Sequence, residues 1–234
     1  MAELFAGKEW QTFLQILPTI PFETWETVWS TVVATLLALV IGLPLGVILV
    51  VGEKGGLAPL PGWLMKTINV IINLLRSVPF LILMILLFPF TRAVVGTAVG
   101  TVASIVPLVV AAFPFVARLV ESSLRELNPN IIEMSRSMGA SPMQTIIKVM
   151  IPEAMPSLIS NATIAITTIL GYTAMSGIVG GGGLGKIAIN YGYYRYKYLV
   201  MLLAVILLIV IVQVFQSIGT HLSVKLDKRL KQNH

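Results

Sequence analysis

Five stretches of this chain are apolar for about the thickness of a bilayer's hydrocarbon core, and no water-soluble fold can hide all of them. They run approximately Val28–Val51, Asn69–Phe90, Val94–Val116, Leu158–Val179 and Leu199–Thr220. About 20 residues are needed because every backbone N–H and C=O must be paired within the segment where no water reaches. Four of the five carry no charge, and the second carries only Arg76, near one end. A side chain so placed reads as an anchor that snorkels to the headgroups, with a buried functional charge as the alternative. The composition agrees: 56% of residues are hydrophobic and 11% charged, with mean hydropathy +0.91, where soluble domains carry roughly a quarter charged residues. The fold class expected is an all-α integral membrane protein, one domain over residues 1–234 with five transmembrane helices.

The charged residues give the orientation. Sixteen Lys and Arg against ten Asp and Glu leave +6. The basic residues lie between apolar runs rather than in aromatic-flanked patches, which excludes a nucleic-acid partner. Placing the C-terminus inside puts Lys54, Lys66, Arg76, Arg118, Arg125, Arg136, Lys148, Lys225, Lys228, Arg229 and Lys231 in the cytoplasm. Lys8, Arg92, Lys186, Arg195 and Lys197 are then external. Eleven against five favours N-out, C-in, and makes residues 118–156 a cytoplasmic segment. Absence of Cys excludes disulfides and thiolate metal sites. His221 and His234 have no carboxylate at ligand spacing, so neither a metal nor a cofactor is expected. Met1 to Pro21 lacks a basic leader and a cleavage signal and carries Glu3 and Glu9, so it is expected to be retained.

Within residues 1–21, Trp10, Phe13, Leu14 and Leu17 repeat at i, i+3, i+4, i+7, and Pro18 follows. This reads as a short external amphipathic helix that packs or anchors. Gly42, Pro44 and Gly46 should kink the first span. The most informative segment is Asn128 to Pro156. Asn128 with Pro129 starts a helix, Ile131, Met134 and Met138 share one face against Glu133 and Arg136, and Gly139 supplies a turn. Ser141 and Pro142 restart the pattern, Met143, Ile146, Ile147 and Met150 follow at helical spacing, and Pro152 is expected to stop the run. Such a hook suits a groove on a soluble partner; an interfacial helix on lipid is the alternative.

The run Glu133-Met-Ser-Arg-Ser-Met-Gly139, with Val149-Met-Ile151-Pro152, resembles the EAA motif of permease subunits in bacterial ABC importers. Glu133, Gly139 and Pro152 keep that motif's spacing, while Met134, Ser135, Val149 and Ile151 replace its Ala, Ala, Ile and Leu. Arg76-Ser-Val-Pro-Phe80, Asn128–Glu133, Ser137–Pro142, Pro152–Pro156 and Gly171–Met175 with Gly180–Gly185 are similar to the methionine-type branch. The resemblance implies a type I importer permease fold whose coupling helix lies between the third and fourth spans. Glu133, Met134, Ser135, Arg136, Ser137, Met138, Gly139, Ala140, Ser141 and Pro142 would dock into a cytoplasmic ATPase. It also implies two ATPase copies, a second permease chain, and an external solute-binding lipoprotein or periplasmic protein.

Ser160, Asn161, Thr163, Thr167 and Gly171 interrupt the fourth span, marking a solute path or ordinary tight packing. Met175 is a candidate external gate because it is bulky and flexible among small neighbours. The fifth span, nearly all Leu, Ile and Val, is expected to face lipid. Gly180 to Lys186 matches seven positions of the phosphate-loop pattern, but Ile187 stands where Ser or Thr would bind Mg²⁺, so a flexible external loop is expected. Tyr191, Tyr193, Tyr194, Tyr196 and Tyr198 suit the membrane interface or, alternatively, docking of the external binding protein. The readings weighed against an ABC permease are another solute, an ion-coupled carrier, and a membrane-embedded enzyme. A carrier commonly places an ionisable group near mid-membrane, and an enzyme needs a catalytic constellation; the spans carry neither.

Overall fold

A computed structural model describes residues 7–227 of the chain. Met1, Glu3, Lys228, Arg229, Lys231 and His234, used in the sequence reading, lie outside those residues. Among the described residues every regular element is helical. α1 (Lys8–Ile16) leads through the 3-10 turn Leu17–Thr19 into α2 (Ile20–Val51). The short α-helix read from the sequence ends at Ile16, just ahead of Pro18. Proline sits there in the first turn of the 3-10 segment, where its missing N–H has no helical partner to lose.

The second apolar stretch is not one straight helix. α3 (Gly62–Ser77) and α4 (Phe80–Leu86) meet at 105°. Pro79 cannot extend the ladder, and its ring confines Val78 to extended backbone at φ −82, ψ 127. α5 (Phe88–Val95) follows and ends on Gly96 at φ 85. The third span therefore begins at Thr101 rather than Val94, and α6 (Thr101–Arg125) carries Arg118 and Arg125 within a helix rather than in a loop. Among the described residues four helical runs are long and apolar enough to cross a membrane, and the count is five if the bent α3–α4 pair is taken as one broken span.

α7 (Pro129–Ser137) precedes α8 (Pro142–Thr145), a π turn at Ile146–Met150 and α9 (Ile151–Ser176). Pro152 does not end the run as the sequence reading expects: Pro142 to Val179 is one continuous helical stretch of 38 residues. The π turn lies immediately before Pro152, where its wider hydrogen-bond spacing accommodates the absent donor and the proline ring. α10 (Gly183–Ile187), a π turn at Ala188–Tyr193 and α11 (Tyr198–Leu226) complete the chain.

Contacts divide the chain into two compact units. The first comprises Met1–Leu36, Pro79–Val109 and Ile166–Phe215; the second comprises Leu37–Val78, Val110–Ala165 and Gln216–His234. In the first, Ile16 and Ile20 pack with Ile187, Ala188, Val200 and Ala204, and Phe13 lies against them. One face of α1 is thus fixed by packing, and the Tyr198 N–H donates to the Glu9 carboxylate at 3.0 Å. Phe80, just past the elbow, stacks on Tyr172 with ring centroids 4.6 Å apart.

In the second unit Leu49, Met65, Ile72 and Ala117 form the core. Gly42 and Gly46, one helical turn apart, let α2 approach α6. A Cβ at Gly42 would lie 2.6 Å from Val116 Cγ1, and one at Gly46 would lie 2.6 Å from the Ala117 carbonyl. These glycines serve close helix contact, and α2 runs unbroken through Pro44. Arg118 donates to Asn69 Oδ1 at 2.8 Å, Asn73 Oδ1 at 3.0 Å and Glu121 at 2.6 Å, joining α3 to α6. Arg125 binds Glu53 and Glu121. The hydrogen bond from its guanidinium holds the Glu53 carboxyl below the usual carboxylate range; burial opposes this, and the charge of Arg125 adds to the lowering.

Candidate functional site

The hook is built from local signals that the backbone uses. The Asn128 side chain caps α7 by accepting from the Asn130 N–H at 3.0 Å, with Pro129 in the first turn. α7 closes on Gly139 at φ +80, a left-handed conformation that costs an L side chain about 1–2 kcal/mol. The Gly139 and Ala140 N–H groups donate back to the Arg136 and Ser135 carbonyls. Ser141 then opens α8 with a reciprocal box: its hydroxyl accepts from the Gln144 N–H, and the Gln144 side chain accepts from the Ser141 N–H. The elbow's Gly139, Ala140, Ser141 and Gln144 N–H groups are thus all bonded within the hook itself.

A contact absent from the sequence reading holds the two arms together. Ser135 and Thr145 are both buried, and their hydroxyls meet at 3.1 Å. Helical spacing assigns each a face but cannot show that the turn folds those faces onto each other. Thr145→Val should cost about 1–3 kcal/mol by stranding the buried Ser135 hydroxyl. Adding Ser135→Ala should recover much of that loss, as thermal melting of the purified protein would show.

With Ser135 turned inward, the outer ridge of the hook is apolar and uncovered. Met134 is 58% exposed, Met138 72%, Met143 63% and Ile147 56%. Glu133, Arg136, Ser137, Gly139, Ser141 and Pro142 are exposed as well, and Ala140 is half-buried. Glu133 and Arg136 also line a cavity of about 680 Å³ with Val51, Leu57, Ile132 and Met150.

The polar residues of α9 are distributed differently. Asn161 donates to the Leu119 carbonyl at 3.1 Å and to Ser123 at 2.7 Å, while Ser157 donates to Glu126 at 2.8 Å. Ser160 and Asn161 border a cavity of about 400 Å³ together with Glu126, Glu153 and Ser157. Thr163 Oγ1 hydrogen-bonds to the Ile159 carbonyl, and its side chain lies where Gly219 leaves room on α11. Thr173, in the first unit, meets Thr31 of α2 at 3.3 Å. Thr167 and Gly171 are half-buried, and Met175 is 46% exposed beside buried Ser176. For Asn161 and Thr173 the bonds seen join α9 to another helix, whereas that of Thr163 returns to its own helix. α11 is the most outward-facing of the long helices, with 11% of its apolar window buried.

The Gly-rich segment is not the flexible loop expected. Gly181 to Gly185 are all buried. The Leu184 N–H donates to Thr27 Oγ1 at 2.8 Å, the Gly183 N–H to Glu26 at 3.2 Å, and the Gly100 N–H to the Gly180 carbonyl at 2.9 Å. A Cβ on Gly177 would lie 2.4 Å from the Lys186 backbone nitrogen. The glycines are spent on close packing, against backbone at Gly177 and Gly185 and against side chains at Gly182 and Gly183, which a motif match cannot distinguish from phosphate binding. Beyond them Tyr193, Tyr194, Tyr196 and Tyr198 are exposed, Tyr191 is half-buried beneath the Arg195 guanidinium at 4.7 Å, and Tyr196 holds φ 55.

Comparison with known proteins matches residues 42–228 to a family described as the binding-protein-dependent transport system inner membrane component. The probable D-methionine transport system permease protein MetI of Vibrio cholerae is 47% identical over 207 residues, covering 88% of this chain and 91% of that one. The methionine import system permease protein MetP of Bacillus subtilis is 42% identical over 186 residues, covering 78% and 82%. Among solved structures, inward-facing MetNI methionine ABC transporter in its native crystal form superposes with a TM-score of 0.89 at 43% identity. That match covers 92% of this chain and 99% of the other.

Proposed function

Because this chain belongs to the family of binding-protein-dependent transport system inner membrane components, we propose that two copies form the path by which methionine enters the cell. It is a multi-pass inner-membrane transporter subunit rather than an enzyme, and ATP hydrolysis falls to a separate partner subunit. In this reading residues 128–152 dock on a pair of cytoplasmic ATPases, an external solute-binding protein delivers the substrate, and the chain lies N-out, C-in. Closure of the ATPase pair draws the two hooks together and rocks the permease pair from inward-open to outward-open.

The observation that carries the reading is the uncovered ridge of Met134, Met138, Met143 and Ile147 on a self-capped elbow. Burying one such side chain contributes about 1.5–3 kcal/mol. Moving a two-state equilibrium from about 1:99 to 99:1 requires roughly 5.5 kcal/mol of differential interaction. A ridge of four supplies a contact of that order, whereas a single anchoring side chain does not. The ridge is rich in Met, which fits a partner cleft by changing rotamer rather than backbone.

The chain has no cysteine of its own, so single-cysteine variants report without interference. Met138→Cys and Met143→Cys should cross-link to the cognate ATPase and react with membrane-impermeant maleimide only after the membrane is opened. Labelling of either position from outside intact cells would sink the proposed orientation and the coupling role together.

A further inference from the structure

Glu23 and Glu26 sit one turn apart on the same face of α2, and Lys186 pairs with the first of them. Glu23 is 7% exposed, its Oε1 lies 3.4 Å from Lys186 Nζ, and its Oε2 is buried without a hydrogen-bond partner. Glu26 accepts one hydrogen bond, from the Gly183 N–H at 3.2 Å. Glu26 therefore has acceptor capacity to spare, and Lys186, with three N–H donors, has donor capacity beyond its contact with Glu23.

Beside it lies a cavity of about 550 Å³, within the range that holds small organic ligands. Glu26, Thr101, Lys186 and Asn190 supply its polar side chains, and Phe22, Val99 and Ile178 supply apolar wall. Phe22 and Ile178 remain 62% and 42% exposed there. Opposite charges on one rim with apolar surface between them match a zwitterion that carries an apolar side chain.

We propose that this cavity is a binding subsite for an amino acid with an apolar side chain, its ammonium group held by Glu26 and its carboxylate by Lys186. The inference rests on the transport reading above and adds a place on this chain where the substrate rests. The subsite needs no external binding protein to be occupied, because both charges come from this chain.

The test uses the permease with its cognate ATPase in nanodiscs, without the binding protein, and measures equilibrium binding of radiolabelled L-methionine. Wild type should bind saturably. Glu26→Gln should bind about tenfold more weakly, the loss of one hydrogen bond to a charged group. Removing Lys186 alone would strand buried Glu23, so Lys186→Met is made together with Glu23→Gln and should also weaken binding about tenfold. Methionine amide, which lacks the carboxylate, should bind wild type and the double variant alike. Unchanged methionine affinity in both variants, or no saturable binding by wild type, overturns the subsite. If wild-type complex supplied with binding protein still takes up methionine at the expense of ATP, the transport reading survives that result; if it does not, both fall.

Discussion

Gly139→Val is expected to leave the chain inserted and assembled while lowering ATP-coupled methionine uptake by a factor between about 5 and 30. The factor follows from the cost of holding an L residue in the left-handed region, about 1–2 kcal/mol, and a β-branched side chain stands at its upper end. Space is not the cause, because a Cβ at Gly139 would meet nothing within 4 Å. The distinction is testable within one series. Gly139→Asn, which tolerates positive φ, should keep most of the uptake, and Gly139→Ala should fall between the two. Uptake and ATP turnover would be followed together in proteoliposomes with the cognate ATPase and binding protein. Normal coupled uptake by the valine variant would end the role assigned to the turn.

Gly185→Ala should be more damaging, and by a different route. Its Cβ would lie 2.2 Å from the Ala174 carbonyl oxygen and 2.6 Å from the Ala174 Cα. Both are backbone atoms, which cannot swing aside as a side chain would, so the cost should reach about 3 kcal/mol or more. The expected result is loss of monodisperse protein in fluorescence-detected size exclusion. Gly171→Ala in α9 is the matched control. Nothing lies within 4 Å of its Cβ, and replacing glycine inside a helix should stabilise by roughly 0.5–1 kcal/mol. Equal behaviour of the two variants would show that the close approach at Gly185 is not what the fold depends on.

The hook was legible in the sequence because every signal for it is local: Asn128 with Pro129, Gly139, and Ser141 with Gln144 each act within four residues. Membrane insertion was legible for a related reason, since apolar length needs no knowledge of tertiary contacts. Proline marked the limit of such reading. Pro18, Pro79 and Pro152 carry one chemistry and meet three outcomes, passage through a 3-10 turn, a 105° bend, and absorption by a π turn. The outcome depends on which neighbours pack around the freed carbonyls, and spacing does not encode that. The same holds for Ser135 with Thr145, Arg118 with Asn69, and the buried glycines from Gly181 to Gly185, whose partners are remote in the chain or folded back by a turn. Asn161 shows the converse: its polarity was visible, but its partners Leu119 and Ser123 belong to another helix.

The unbroken run from Pro142 to Val179 has a mechanical consequence. At about 1.5 Å per residue a helix of 38 residues is roughly 57 Å long, and no loop interrupts it to absorb strain. In the coupling proposed above, torque applied at the elbow would be delivered along α9 as twist and tilt rather than dissipated in a linker. The ladder is loosened at the π turn Ile146–Met150 and again at Pro156, so in the proposed coupling the chain would carry a shock absorber at the driven end of the shaft.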